Sequence, residues 1–448
     1  MEQDFLPDFL ALPSQYGHES EPAITPSPSE PVDRAKTLLD KHWGGANPEE
    51  LACLRNIHPQ FYDDPLVLNA EYQRLCEQES FLSTHLKPLL VLHEENGGFD
   101  DLIIATKEFI TRKHAKRLMP LLNRELSQNE VEEVVREIFA TNGDKVINKV
   151  MAPGGDHDDA YEFFHEDEHG NEHRYRYRIN VSSFQDKRGR KGLAVTIRRL
   201  TTTPKTLEEL GVSQYIIDNC TPRTGLVLVG GETGSGKSTL CAAIAAKIRV
   251  DLEPRIMLTY ESPIEYILTS MPGPNPILQH SVGEFGDFKS FYDALRNALR
   301  RTPEVIYLGE SRDKETFLTL PKIPQSGHMG LTTVHADRIV TTFSRIANEI
   351  GGEGDHVIRT LVQSVHLVVV QYLAKTEKSV IPVQEVLLFT PKVRAEILAE
   401  KEDILSAIGA AVKKHGQPME KHAAELLNNG KIDKETFDFI CQSEVGGI

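Results

Sequence analysis

The rhythm of apolar and polar positions changes several times along this 448-residue chain. Between residues 97 and 205 two periods alternate. Residues 100–113, DDLIIATKEFITRK, read as a short strand. Val131, Val134, Val135, Ile138 and Phe139 then recur at helical spacing behind Ser127, with Glu130 three residues after it. That pairing is a capping box, so a helix is predicted to start there. RYRYRINVSS (174–183) and GLAVTIRRL (192–200) follow with period two, joined by the polar turn DKRGRKG. One helix plus antiparallel strands predicts a small α+β domain over 97–205. Thr206 is expected to open a further capped helix.

From residue 225 the texture is different. GLVLVG (225–230) is wholly apolar, as a strand covered on both faces must be. Further apolar runs come at RIMLTY, EVIYLGE, MGLTTVH and HLVVVQYL, with helical patterns between them. This alternation predicts a parallel α/β domain over 206–392. Residues 393–448 read as helical and charged, with breaks at HGQP and NNGKI. At the other end, residues 1–33 are rich in Pro, Ser and Glu and predict a disordered tail. Residues 34–96 carry helical patterns interrupted at Pro48, Pro59 and Pro65 and read as a helical extension.

Composition adds three constraints. A hydrophobic share of 40% and a charged share of 26% describe a soluble globular protein. A net charge of −16 argues against gripping a nucleic-acid backbone, which needs clustered Lys and Arg. The five cysteines (Cys53, Cys76, Cys220, Cys241 and Cys441) form no C-x-x-C pair and give no zinc-ligand spacing. No apolar run approaches the ~18 residues of a membrane span, and the acidic N-terminus lacks the basic start of a secretory signal. A cytoplasmic location is expected, with membrane contact only through partners.

The densest chemical signal is Gly231-Glu232-Thr233-Gly234-Ser235-Gly236-Lys237-Ser238, followed by Thr239, placed between the apolar strand and the helical segment LCAAIAAKIRV. It matches the phosphate-binding loop G-x-x-x-x-G-K-[ST] in the strand–loop–helix context that the motif requires. Glycines let backbone N–H groups wrap a polyanion, and the helix N-terminus adds a favourable dipole. In such a loop Lys237 reaches the β and γ phosphates of ATP, and the Ser238 hydroxyl ligates Mg²⁺. Glu310 closes the apolar strand VIYLG, where an acid at a parallel strand's C-terminal end can hold Mg²⁺ through water. His328 and His335 flank the strand MGLTTV, and either imidazole could report on a γ-phosphate.

Three further stretches follow in a fixed order: TYESPIEY (259–266), FYDALRNALRRTPEVIYLGESRD (291–313) and SGHMGLTTVHA (326–336). Together with the phosphate loop, this set resembles the ring-forming ATPases of bacterial secretion and type IV pilus retraction, over about residues 97–395. The resemblance implies a RecA-like core preceded by a PAS-like domain, a homohexamer, ATP and Mg²⁺ as ligands, and inner-membrane components of a secretion, conjugation or pilus machine as partners. It aligns Glu265 with the family's catalytic glutamate and Glu261 with the first acid of the same box, supporting the site or its metal. It suggests that Arg176, Arg178 or Arg198 reaches across to the nucleotide, and that Arg312 and Asp313 form an ion pair. The chain lacks the four-cysteine zinc module of the assembly and export branches. It therefore looks like the retraction branch or the type IVB secretion and conjugation ATPases.

Two departures stand out. Ser262 occupies a position where the family has an acid, and Pro321 and Pro324 fall where it has an Ala-rich helix, which they should break. Two other readings stay open on the sequence: a nucleotide-gated assembly module that barely hydrolyses ATP, and a DNA-translocating ATPase.

Overall fold

The computed structural model describes residues 78–442, apart from residues 115–116, 123, 168, 202, 353 and 377–379, together with residues 69, 72, 74 and 75. The expected tail over 1–33 and most of the 34–96 extension, including Cys53 and Cys76, lie outside the described residues.

The first sheet has six antiparallel strands: β1 (Asp101–Ala105), β2 (Thr111–His114), β3 (Arg117–Pro120), β4 (Asp156–Glu166), β5 (Glu172–Gln185) and β6 (Lys191–Arg199). Their spatial order is β3-β2-β1-β6-β5-β4. The segment 100–113, read as one strand, divides into β1 and β2, and β4 was not foreseen. Helix α1 (Leu86–Glu95) buries Leu86, Leu89 and Leu90 in the same core as the strands, so this domain starts before residue 97. Helix α2 (Gln128–Phe139) begins as predicted. The Ser127 hydroxyl accepts from the Glu130 N–H at 3.3 Å, and the Glu130 carboxylate accepts from the Ser127 N–H at 2.7 Å. Helix α3 (Gly143–Met151) follows it onto the sheet.

Along β5 the side chains alternate strictly. Tyr177, Ile179 and Val181 enter the core, which places Arg174, Arg176 and Arg178 on the opposite face. The capping pair at Thr206 also forms, with the Glu209 N–H donating to the Thr206 hydroxyl at 3.2 Å. No helix grows from it. The turn closes at once through Gly211 and Val212 N–H bonds to Glu208 and Leu207 carbonyls, and the next helix is the short α4 (Gln214–Asn219).

The second sheet runs β13-β12-β7-β11-β10-β8-β9. Its strands are β7 (Gly225–Gly230), β8 (Met257–Glu261), β9 (Ile277–Ser281), β10 (Val305–Leu308), β11 (Met329–Val334), β12 (Val365–Lys375) and β13 (Val380–Leu388). All neighbours are parallel except the β12–β13 hairpin. Leu226 and Leu228 face one hydrophobic cluster, and Val227 and Val229 face another. Helices therefore cover both faces: α4 and α5 (Lys237–Val250) on one, and α6 (Phe291–Ala298), α9 (Ile339–Ile350) and α10 (Gly354–Ser364) on the other. The expected Ala-rich helix is indeed broken, into α7 (Lys314–Thr319) and α8 (Lys322–Gln325), with Pro321 between them.

The C-terminal region is helical with breaks where foreseen: α11 (Pro391–Ala399), α12 (Ile404–His415), α13 (Met419–Asn428) and α14 (Lys434–Gln442). Its Ile408, Val412, Met419 and Ile440 join the core under the second sheet, so it is part of that domain. Among the described residues no helix is long and apolar enough to cross a membrane.

Candidate functional site

In a parallel sheet buried on both faces, polar chemistry can sit only at strand ends. The loop 231–236 leaves β7 at its C-terminal end and feeds α5. A Cβ at Gly231 would lie 2.1 Å from Ser235 Oγ and 2.6 Å from the Gln371 carbonyl oxygen. At Gly236 it would lie 2.9 Å from Gln371 Nε2, and there φ is +79°. Only glycine fits a loop wound this tightly. Lys237 Nζ donates to the Gly231 and Glu232 carbonyls, each at 2.8 Å, and burial lowers its pKa while Glu310 opposes that shift. The Ser235 hydroxyl is buried without a partner. This wound loop, its lysine and an unsatisfied hydroxyl fit a bound polyphosphate.

Two residues that sequence reasoning missed hold the loop in place. Gln371 Nε2 donates to the Ser235 carbonyl at 2.7 Å, and Gln384 Nε2 donates to Gln371 Oε1 at 2.8 Å. Both amides come from the β12–β13 hairpin, far away in sequence, and no local pattern marks them.

Neighbouring strands deliver the acids to the same edge. Glu261 ends β8, and Glu310 lies two residues beyond β10, where the Gly309 N–H donates to the Tyr260 carbonyl at 2.7 Å. Glu261 is 6% exposed and accepts from Thr259 at 2.7 Å and Gln279 at 3.1 Å. Burial raises its carboxyl to about 7 despite those two donors. Glu310 faces His335 Nε2 at 3.6 Å and Arg312 at 3.9 Å. Asp313 makes no pair with Arg312. It caps α7 instead, accepting from the Thr316 N–H at 2.8 Å, because a helix N-terminus is the nearer claimant for its carboxylate.

His335 follows β11 on the phosphate-loop side, since Val334 pairs in register with Gly230. Burial lowers its pKa, with the Lys237 charge acting the same way. Arg345 of α9, also unforeseen, donates to the His335 carbonyl at 2.9 Å. Glu232, Thr233, His335, Asp337, Thr341 and Arg345 line a cleft of about 600 Å³ there. His328 is a correction. It precedes β11 at the opposite end of the strand, where its carbonyl accepts from Thr224, roughly 20 Å away at ~3.3 Å per residue. It cannot serve the phosphate loop of its own chain.

The three arginines of the first sheet part company. Arg176 is buried and donates to the Ile264 and Glu265 carbonyls at 2.8 and 2.9 Å, with its Nε on Glu162 at 2.7 Å. Arg178 lies 3.7 Å from the Glu265 carboxylate, is gripped by Asp158, and feels Glu310 as well. Arg198 pairs with Asp101 at 2.7 Å and is 62% exposed, which removes it from the acidic box. A second contact fastens the domains: Phe285, in the loop after β9, packs edge-on against His157 at 5.3 Å, and Glu284 pairs with Lys149 at 2.9 Å. Ser238 is the second residue of α5, and the Thr239 hydroxyl meets the Tyr266 hydroxyl at 3.0 Å. Among the described residues no His, Cys, Asp and Glu cluster forms a ready-made metal cage.

Known proteins resemble this chain in sequence and in fold. A family model described as type II/IV secretion system protein matches residues 189–429. A twitching motility protein of Neisseria gonorrhoeae is 33% identical over 268 residues, 58% of this chain and 68% of that protein. The type IV pilus ATPase PilU of Pseudomonas aeruginosa is 30% identical over 360 residues, 78% of this chain and 86% of PilU. The X-ray structure of the Legionella pneumophila ATPase DotB superposes with a TM-score of 0.73 at 29% identity, covering 82% of this chain and 98% of DotB.

Proposed function

The chain belongs to the type II/IV secretion system protein family and is an ATPase, and from that premise we propose that it works as a Mg²⁺-dependent homohexameric motor for a secretion or type IV pilus machine. One observation carries the reading: Arg178 of the first domain approaches Glu265 of the second, within a charge network that also holds Glu310, His335 and Lys237.

Each part has a role that its surroundings support. Lys237 and the loop N–H groups bind the phosphates of ATP. Glu265 orients and deprotonates the attacking water. Ser238 and Glu310 are the groups that would hold Mg²⁺, which supplies charge neutralisation on the phosphates when bound. Glu261 is committed to Thr259 and Gln279, and serves the site by fixing the end of β8 behind Glu265. His335, whose pKa is lowered by burial and by the Lys237 charge, senses the terminal phosphate. Arg178 spans the domain boundary, so its exchange between Glu265 and phosphate charge ties hydrolysis to domain motion. The work is delivered at the inner membrane through protein partners.

The test is phosphate release with Mg²⁺ for the wild type, Lys237→Ala and Glu265→Gln. Both variants are expected to fall by about 10²–10³-fold. A wild-type rate no higher than that of Glu265→Gln sinks the motor and favours a nucleotide-gated assembly module. Native mass measurement with a non-hydrolysable ATP analogue checks the ring.

A further inference from the structure

The phosphate loop is held from behind by two glutamines, and what holds the glutamines lies further out. Gln371 and Gln384 are both buried and face each other in register on β12 and β13. The Ser235 carbonyl can only accept, so Gln371 must turn Nε2 towards it. Its Oε1 then needs a donor, and Gln384 must supply Nε2 in turn. Gln384 Oε1 is left buried without a partner, a cost for which packing alone gives no reason. The bonds therefore run in one direction, from β13 to the loop.

That direction matters at the next peptide. A trans peptide points its C=O and N–H opposite ways. Fixing the Ser235 carbonyl towards Gln371 commits the Gly236 N–H to the other side. Gly236 has φ +79° and no Cβ, so nothing in the residue itself stops this peptide from turning over. Turned over, it would offer an anion a carbonyl oxygen where the loop needs an N–H.

Gln384 is itself seated by the C-terminal helices. β13 is the edge strand of the second sheet, and residue 417, between α12 and α13, pairs along it. Gln417 and Val386 exchange backbone bonds at 2.8 and 2.9 Å, and Gln417 Nε2 donates to the Gln384 carbonyl at 2.9 Å. On α13, His422 Nδ1 accepts from the Gln384 N–H at 2.9 Å. Met419 and Ala423 anchor that helix in the core.

We propose that Gln371 and Gln384 are positioning residues for phosphate binding, and that through them the seat of α13 on β13 sets how firmly the loop holds its ligand. The proposal rests on the phosphate-loop reading above and deepens it. Coupling of this kind is reciprocal, so filling the loop must steady α13 as much as α13 steadies the loop.

The experiment uses the full chain with Mg²⁺, with ADP and inorganic tripolyphosphate as probes in calorimetry. Gln371→Met and Gln384→Met keep the length of the side chain but leave a buried partner unpaired. Each should weaken both probes about tenfold and lower the denaturant midpoint. The double variant removes both amides, so its midpoint should return towards wild type while both probes stay about tenfold weaker. Recovery of binding along with stability would make the pair a prop of the fold and overturn the proposal. Single variants that bind within about twofold of wild type would do the same. On α13, His422→Gln keeps an acceptor for the Gln384 N–H and should bind as wild type, whereas His422→Leu should lose about threefold. Hydrogen exchange over 417–428 should slow when tripolyphosphate binds the wild type, and not when it binds the double variant. Equal binding by the two His422 variants, or exchange there indifferent to tripolyphosphate, overturns the link to α13. A wild type that binds neither probe overturns the phosphate-loop reading and takes the positioning role with it.

Discussion

The two sheets of this molecule solve the placement of polar groups in opposite ways. The first is antiparallel, with one face in the core and the other free to carry a row of arginines along β5. The second is covered on both faces, so its strands are apolar throughout and its chemistry is confined to their C-terminal ends. A face can present a charge to a neighbouring domain, whereas a strand end can only present it to a loop. The candidate site forms where the two arrangements meet, with Arg178 from a face reaching Glu265 beyond a strand end.

The sharpest way to break that contrast is within the arginine face itself. Arg178→Ala should lower phosphate release by about 100-fold with ATP affinity little changed, while Arg198→Ala, committed to Asp101, should stay within about twofold. Similar losses from both would show that the face acts through its general charge and not through one reach across the boundary.

Titration gives the next largest effect, and the two domains should respond with opposite signs. In the first domain burial pushes the Glu130 carboxyl up, but Arg124 and the Phe81 and Ser127 N–H groups outweigh it and hold it at about 2. Its folded pKa lies below the unfolded 4.5, so its stabilisation is complete above pH 4.5 and is lost as pH falls towards 2. Glu385 on β13 is raised by burial to about 7, so its contribution is complete below pH 4.5 and is lost as pH rises through 7. Glu385→Gln should therefore gain about 1–3 kcal/mol on wild type at pH 8 relative to pH 4.5. Glu130→Gln should lose about 1 kcal/mol at pH 7, after allowance for solvent screening, and little at pH 2. Denaturant melts across that range decide it; parallel pH profiles for the two variants would refute the opposition.

The smallest expected effect concerns the second fastening. Phe285→Ala should cost about 1 kcal/mol and raise hydrogen exchange around 149–157, leaving β7 and α5 unchanged. Exchange rising equally in both domains would mean that Phe285 supports the whole fold and not the boundary.

Much of this was legible in the sequence because it is local. The capping box at Ser127 and Glu130 lies within one helical turn, and it forms as written. GLVLVG had to be a buried strand because no residue in it could face water. The phosphate loop needs its glycines within a single turn of chain, so the motif and its geometry coincide. Thr206 shows the limit: its cap formed with Glu209, yet the chain after it had no helix to cap. His328 and His335 flank one strand, with His335 the preferred sensor on sequence, and the parallel register of β11 with β7 is what puts the His335 end, and not the His328 end, beside the phosphate loop.

Read alone, the chain of residues carried the alternation of an α/β domain, the phosphate-loop motif and Glu310 at the end of an apolar strand, because each depends on contacts within a few positions or on a period, whereas Glu261 and Glu265 entered through a family resemblance. Tertiary structure alone chose Arg178 over Arg198, enlisted Arg345, Gln371 and Gln384, and seated α13 behind the two glutamines. Those choices join residues tens to two hundred positions apart, and strand order and register, which no local pattern encodes, decide which of them meet.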